Sequence, residues 1–299
     1  MKNKVLLVGN DINNVIKEAN WADLLDSIMA ELNIANQIDK NNKPFPLVYE
    51  QIFLKALKDD RYQDEFKLKK SIADLMSEMV PNEIHLQIMK MNFEHILTTN
   101  YDHNLEKSVI GESHKKLKNQ GVIKESHHSL FRFHETDRKK IWHIHGDINY
   151  PASINLGYEQ YSGYLQQMRN YVKGYSSYSN DKKFDHLITR FNNKPFQIDS
   201  WTDLFFTKDI YIMGLKMGLE EMHLWWFLNF RQREILSGRI KITNKIYYFY
   251  PSYLDISDGT FRTKLELFES FGVIAKSFKN PTKTEYYQTI LDSIKTNKY

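Results

Sequence analysis

Short apolar runs alternate along this chain with longer stretches of helical spacing. Val5–Val8 is a continuous apolar run halted by Gly9-Asn10-Asp11, the pattern of a buried parallel-type strand entering a turn. Apolar positions at helical spacing then predict helices over 21–32, 45–57, 66–79 and 84–91. His95–Leu97 reads as a second strand leading into Thr98-Thr99-Asn100-Tyr101-Asp102, with a short helix over 104–109. Ile141–Ile144 is a strand that ends at His145-Gly146-Asp147, and Ile154–Leu156 is a further candidate. Helical spacing returns over 160–172. Ile210–Met213 is a strand stopped by Gly214, and 220–236 is a strongly apolar helix containing Trp225 and Trp226. Ile246–Tyr250, closed by Pro251, and Val273–Ala275 complete the strands, with a helix over 262–270 between them. A last helix runs from about Thr284, where Thr282 and Glu285 have capping-box spacing. Residues 111–139 and 173–199 are polar without sustained period and read as loop excursions.

Short apolar strands alternating with helices predict an α/β fold, a Rossmann-like doubly wound parallel sheet covered on both faces. The helices over about 20–92, between the first and second strands, form an added helical module at one end of that sheet. The expected organisation is a single domain over 1–299, with this module as an insertion.

Composition narrows the classes. The 299 residues are 41% hydrophobic and 14% aromatic, enough apolar material for a large core, and 12 Gly with 7 Pro exclude a fibrous or low-complexity chain. A net charge of +4 does not call for nucleic acid, and Lys115–Lys118 and Lys182–Lys183 read as solvated loops. Cysteine is absent, which removes disulfides, thiolate zinc sites, iron–sulfur clusters and cysteine nucleophiles, and fits a reducing cytoplasm. The first apolar run is far shorter than a signal-peptide core or the ~20 residues of a membrane span, so no membrane partner is expected.

In a doubly wound sheet, ligands bind beyond the carboxyl ends of the strands. The unusual polar clusters all fall at such ends: Gly9-Asn10-Asp11-Ile12-Asn13-Asn14, Thr98–Asp102, His143–Asp147 and Gly214. Gly9 suits a tight turn that brings backbone N–H groups to a phosphate, although a lone glycine is more often an ordinary strand–loop turn. Asp102 has the alternative of capping the following helix. His145 stands before Gly146 and Asp147 in a turn at this edge, a placement that favours chemistry over packing.

The order Gly9-Asn-Asp-Ile-Asn, Leu97-Thr-Thr-Asn-Tyr-Asp102, His143-Ile-His145-Gly-Asp and Ile210-Tyr-Ile-Met-Gly214 resembles the SIR2-like (sirtuin-related) domain, and within it the bacterial SIR2-like NADases of antiphage defence. Pro151–Tyr161 resembles the segment that follows the His-Gly in those proteins. The resemblance implies that Asn100 and His145 are the catalytic pair, with NAD+ as substrate. It implies that Gly9, Asn10, Asp11, Thr99, Asp102 and Gly214 bind the dinucleotide. The implied reaction cuts the nicotinamide–ribose bond, depleting NAD in an abortive-infection response. The first loop reads Gly-Asn-Asp-Ile-Asn where sirtuins carry Gly-Ala-Gly-Ile-Ser. The four-cysteine zinc module of the protein deacylases has no counterpart here, which weighs against deacylation, and no metal is expected.

Nicotinamide leaves NAD+ as a neutral group, so the site has to stabilise a ribosyl cation and present water or a hydroxyl to it. An imidazole, with an ordinary pKa near 6.5, suits the base, and Asn100 is suited to holding water or ribose through both amide groups. Asp102 would orient the nicotinamide carboxamide or support the loop. Two other classes stay open: a nucleotide-sensing module that binds without cutting, and a metal-dependent hydrolase using His143 and His145, two apart on a strand. Trp225, Trp226, Phe227 and Phe230 make the 220–236 helix apolar nearly all round, which suggests a homo-oligomer, and the control that a toxic NADase needs suggests a separate regulatory or activating protein partner.

Overall fold

A computed structural model describes residues 3–15, 21–35, 37–59, 64–136, 138–175, 177–178, 182–193, 195–254 and 259–299. In chain order the elements are β1 (Lys4–Val8), α1 (Trp21–Glu31), α2 (Phe45–Lys58), α3 (Glu65–Ser77), α4 (Glu83–Lys90), β2 (His95–Thr98), α5 (Asn104–Ile110), β3 (His134–Thr136), β4 (Lys139–His143) and α6 (Tyr158–Lys173). They continue with a two-stranded hairpin of β5 (Ser177–Tyr178) and β6 (Lys182–Lys183), then α7 (Leu187–Asn192), α8 (Trp201–Thr207), β7 (Asp209–Met213), α9 (Met222–Leu236), β8 (Ile246–Pro251), α10 (Gly259–Ser270), β9 (Val273–Phe278) and α11 (Lys283–Thr296).

The main sheet has the order β3-β4-β2-β1-β7-β8-β9. All its pairs are parallel except the edge pair β3–β4. The chain winds outward from β1 through β2 to β4, returns, and winds outward again from β7 through β8 to β9. That is the doubly wound order expected from the sequence, and its direction reverses between β1 and β7.

Alternate residues of the central strands serve opposite layers, as the two-residue period of a strand requires. Val5, Leu7, Leu97, Ile210 and Ile212 enter one apolar cluster with Tyr164, Trp201 and Phe227, from helices α6, α8 and α9. Leu6, Val8, Ile96, Tyr211 and Met213 enter the other with Ile84, Ile88, Leu105 and Ile290, from α4, α5 and α11. Each fully buried aliphatic side chain contributes about 1.5–3 kcal/mol, so both faces of the sheet are held firmly.

The helical module has a core of its own. Leu24, Leu25 and Ile28 pack with Val48, Ile52, Leu68 and Ile72, and this cluster also takes in Tyr101, Ile154 and Leu156 from the sheet's carboxyl edge. The module therefore sits over the end of the sheet where the polar clusters lie.

Local expectations change in several places, among them the 173–199 excursion, which holds the β5–β6 hairpin and α7. Ile154–Leu156 is irregular, because its buried side chains fill the module's core and no strand pairs with it. Residues 134–136, inside the polar excursion, form the antiparallel edge strand β3. Helix α8 gave no periodic signal: nearly all its side chains are buried, so it has no polar face. Ser200 caps its N-terminus in a capping box with Asp203. Within the 173–199 excursion, residues 176, 179–181 and 194 lie outside the described residues.

Candidate active site

At the reversal point a cavity of about 480 Å³ opens beyond the strand ends. Its walls come from Asn10, Asp11 and Asn14 after β1, Thr99 after β2, His145 after β4, and Gly214–Gly218 after β7, with Phe45, Tyr161, Glu220 and Glu221 closing the sides. Of the residues singled out from sequence, Asn10, Asp11, Thr99, His145 and Gly214 line it, and Gly9, Asn100 and Asp102 stand behind the wall.

Backbone bonds between strand ends fix this rim. Gly9 N–H donates to the Met213 carbonyl and Asp11 N–H to the Gly214 carbonyl, both at 3.0 Å. These two amides hold the loops together, so they are engaged before any phosphate arrives. Gly9 is needed for a different reason from phosphate approach: a Cβ there would lie 2.4 Å from the Gly214 oxygen and 2.6 Å from Leu215 Cα. Gly214 itself has φ +68°, which favours glycine. Thr99 N–H donates to the Val8 carbonyl at 3.1 Å, adding β2 to the same frame.

Asp102 supports the loops. Its Oδ1 accepts the Asn104 N–H at 2.9 Å at the start of α5, and its Oδ2 accepts Asn13 Nδ2 at 2.8 Å. Asp11 accepts from the Tyr287 hydroxyl at 2.5 Å and pairs with Lys283 at 3.0 Å, which ties the first loop to α11.

Asn100 is 4% exposed and held by its backbone on both sides. Its N–H donates to Thr98 Oγ1 at 3.0 Å, and its carbonyl accepts from His143 Nδ1 at 2.8 Å. Its side-chain Oδ1 is buried without a hydrogen bond. Leaving such an acceptor unmade costs about 1–3 kcal/mol, which a bound group or water would recover.

His143 belongs to a buried polar cluster beside the cavity. Its Nε2 lies 2.9 Å from Glu106 Oε1, which also receives His134 Nδ1 at 2.8 Å. Both His143 nitrogens face acceptors, so both carry protons and the ring is an imidazolium. Burial alone would lower its pKa, but the Glu106 charge and hydrogen bond raise it to about 9. Glu106 in turn is held well below the ordinary carboxylate range: burial opposes this, and His143 and His134 outweigh it. Asp147 lies 3.4 Å from His103 and 3.6 Å from Arg132. Burial would raise its carboxyl, yet these two neighbours bring it below its usual range. Burial keeps His103 neutral, against the pull of Asp147.

His145 turns away from that cluster. The chain reverses at Gly146, whose φ is +93° and whose missing Cβ would lie 2.2 Å from the Ser153 oxygen. His145 Nε2 is 2.9 Å from His223 Nε2 and 3.3 Å from Glu221 Oε2, with the Tyr161 ring edge-on at a centroid distance of 5.5 Å. Burial, and then the Glu221 charge, keep the Tyr161 hydroxyl protonated. Burial also keeps His223 neutral, pushing its pKa far below the usual value. The two histidines proposed from sequence as a shared metal pair thus join different groups: His143 with His103 and His134, His145 with Glu221 and His223.

Sequence reasoning missed Glu221, His223 and Tyr161. The first two sit at the start of α9, where the aromatic run dominates the pattern. Tyr161 was noted only within the segment after His-Gly. The large aromatics of α9 find neighbours inside the chain: Trp225 stacks on Phe268 and donates to the Gly218 carbonyl at 2.8 Å, and Phe227 packs edge-on to Trp201 and Phe205.

Residues 94–195 match the model of the SIR2-like domain. This stretch, 102 of the 299 residues, is similar to the SIR2-like domain. It spans β2, the Thr98–Asp102 loop, β4, His145 and α6, and the match supports an NAD-related function in general. Gly9, Gly214, Glu221 and His223 lie outside the matched SIR2-like residues and reach the site through the fold. Among curated proteins none matches the chain. No helix among the described residues is long and apolar enough to cross a membrane.

Proposed function

We propose that the chain hydrolyses NAD+ at the bond between nicotinamide and ribose. The observation that carries this reading is the position of His145: this residue of the SIR2-like stretch lines the cavity of about 480 Å³ at the topological reversal. In the proposed reaction the C1′–N bond breaks, nicotinamide takes the bonding pair and leaves neutral, and water adds its oxygen to C1′. His145 accepts the proton that water gives up, and the products are nicotinamide, ADP-ribose and a proton. Asn100, with its unmade amide acceptor at the end of β2, holds the water or the ribose hydroxyls.

A chain with this activity is dangerous to its own cell. The proposal therefore extends to an effector that depletes NAD in antiphage defence and is held off until it self-assembles or meets an activating protein. Support for that extension comes from the sequence resemblance.

The test is nicotinamide release from NAD+ by the purified chain, alone and with any co-purifying protein, beside His145→Ala and Asn100→Ala. Loss of a general base lowers turnover by about 10²–10⁴-fold. Wild-type turnover in His145→Ala would remove that residue from the chemistry, and NAD+ binding without release would replace hydrolysis with sensing.

A further inference from the structure

We infer that His145, His223 and Glu221 form a divalent-metal site of the zinc class at the edge of the cavity, and that an ion held there silences His145. The three ligand atoms already converge. His145 Nε2 and His223 Nε2 are 2.9 Å apart, and Glu221 Oε2 lies 3.3 Å from the first and 3.8 Å from the second. A tetrahedral zinc ion with bonds of ~2.0–2.1 Å needs its ligand atoms ~3.3–3.4 Å apart, and the three separations bracket that spacing. Two imidazoles and one carboxylate are a donor set that zinc accepts, and the cavity leaves a fourth position for water.

Without an ion the arrangement is poorly satisfied. Two ring nitrogens that face each other share a single proton, and Glu221 Oε2 is buried with no hydrogen bond. An ion between the three atoms answers both deficits. In the neighbouring trio of His103, His134 and His143, His143 donates from both nitrogens and Glu106 balances its charge, so that ring has no lone pair to offer an ion.

The site is built for exchange rather than permanence. His223 Nδ1 has no hydrogen-bond partner, whereas tightly held ligand histidines rest that nitrogen on a carboxylate or carbonyl. Missing such support costs about 10–100-fold in affinity, so a chelator should remove the ion readily. An ion on His145 Nε2 occupies the lone pair that takes the proton from water. Inhibition, unlike binding, thus rests on the hydrolase reading.

Equilibrium dialysis of the full chain against Zn²⁺, with the visible spectrum of the Co²⁺ form, tests binding without reference to activity. One Zn²⁺ per chain, intense d–d bands of tetrahedral cobalt, and loss of both in Glu221→Gln and in His223→Ala are expected. Glu221→Gln nearly preserves shape and is decisive if His223→Ala fails to fold; its affinity should drop by more than about tenfold. No uptake, an octahedral cobalt spectrum, or uptake unchanged in Glu221→Gln would overturn the site. If the chelated chain releases nicotinamide, Zn²⁺ should stop it and chelator restore it; undiminished release with zinc bound would overturn the silencing. Zinc uptake by a chain that releases no nicotinamide in either state, alone or with its co-purifying protein, would leave the metal site standing and sink the hydrolase reading.

Discussion

His143 donates its Nδ1 proton to the backbone carbonyl of Asn100 at 2.8 Å, so a buried imidazolium from β4 fixes the loop that presents the Asn100 amide. The other proton of the same ring goes to Glu106 on α5. One charged pair thus connects two strand ends with the helix beneath them, and it does so without reaching the cavity.

Glu106→Gln should therefore be severe. It leaves His143 buried without its counter-charge, and breaking a buried pair from one side costs about 3–5 kcal/mol. Urea unfolding at pH 7 measures this, and nicotinamide release should fall as the Asn100 loop loosens. A loss below about 1 kcal/mol would mean that the cluster carries little of the loop's position.

Stability should peak near pH 6.5–7 and decline on both sides. His143 has a folded pKa raised to about 9, so its contribution is complete below the unfolded value near 6.5 and is lost as pH rises towards 9. A shift of that size corresponds to roughly 3 kcal/mol for this fully buried group. His95, His103 and His223 behave oppositely: burial lowers each, His95 to about 4, so stability falls as pH drops below 6.5 and the unfolded chain takes up protons. Burial raises Glu125 to about 7, which opposes this acid loss, so the three histidines together have to outweigh it. Thermal melts from pH 4 to 9 check the shape, and His143→Gln should flatten the alkaline limb while lowering the maximum.

Gly9→Ala should harm the site through packing. The added Cβ meets three backbone atoms of the β7 loop, none of which can rotate away, so the β1 and β7 ends must separate. Overpacking of this kind costs about 1–3 kcal/mol. The KM for NAD+ should rise, since the wall from Gly214 to Gly218 shifts with it. A crystal structure of the variant with an unmoved Leu215, or an unchanged KM, would refute this account.

Much of the protein could be read before any coordinates. Runs such as Val5–Val8 and Ile210–Met213 are too apolar and too short for anything but central strands, so local sequence alone dictates the α/β class. Gly9, Thr99, His145 and Gly214 stood out because polar and glycine residues that abruptly end apolar strands mark one edge of such a sheet. Tertiary structure decided what spacing along a chain cannot express. It set His145 and His143, two residues apart, into different groups, because the reversal at Gly146 turns one side chain towards the cavity and leaves the other in the buried cluster. It also brought Glu221 and His223 to His145 across sequence separations of 76 and 78 residues. Pairing of strands and winding of the sheet are long-range events, and proximity between distant residues comes into being only when they occur.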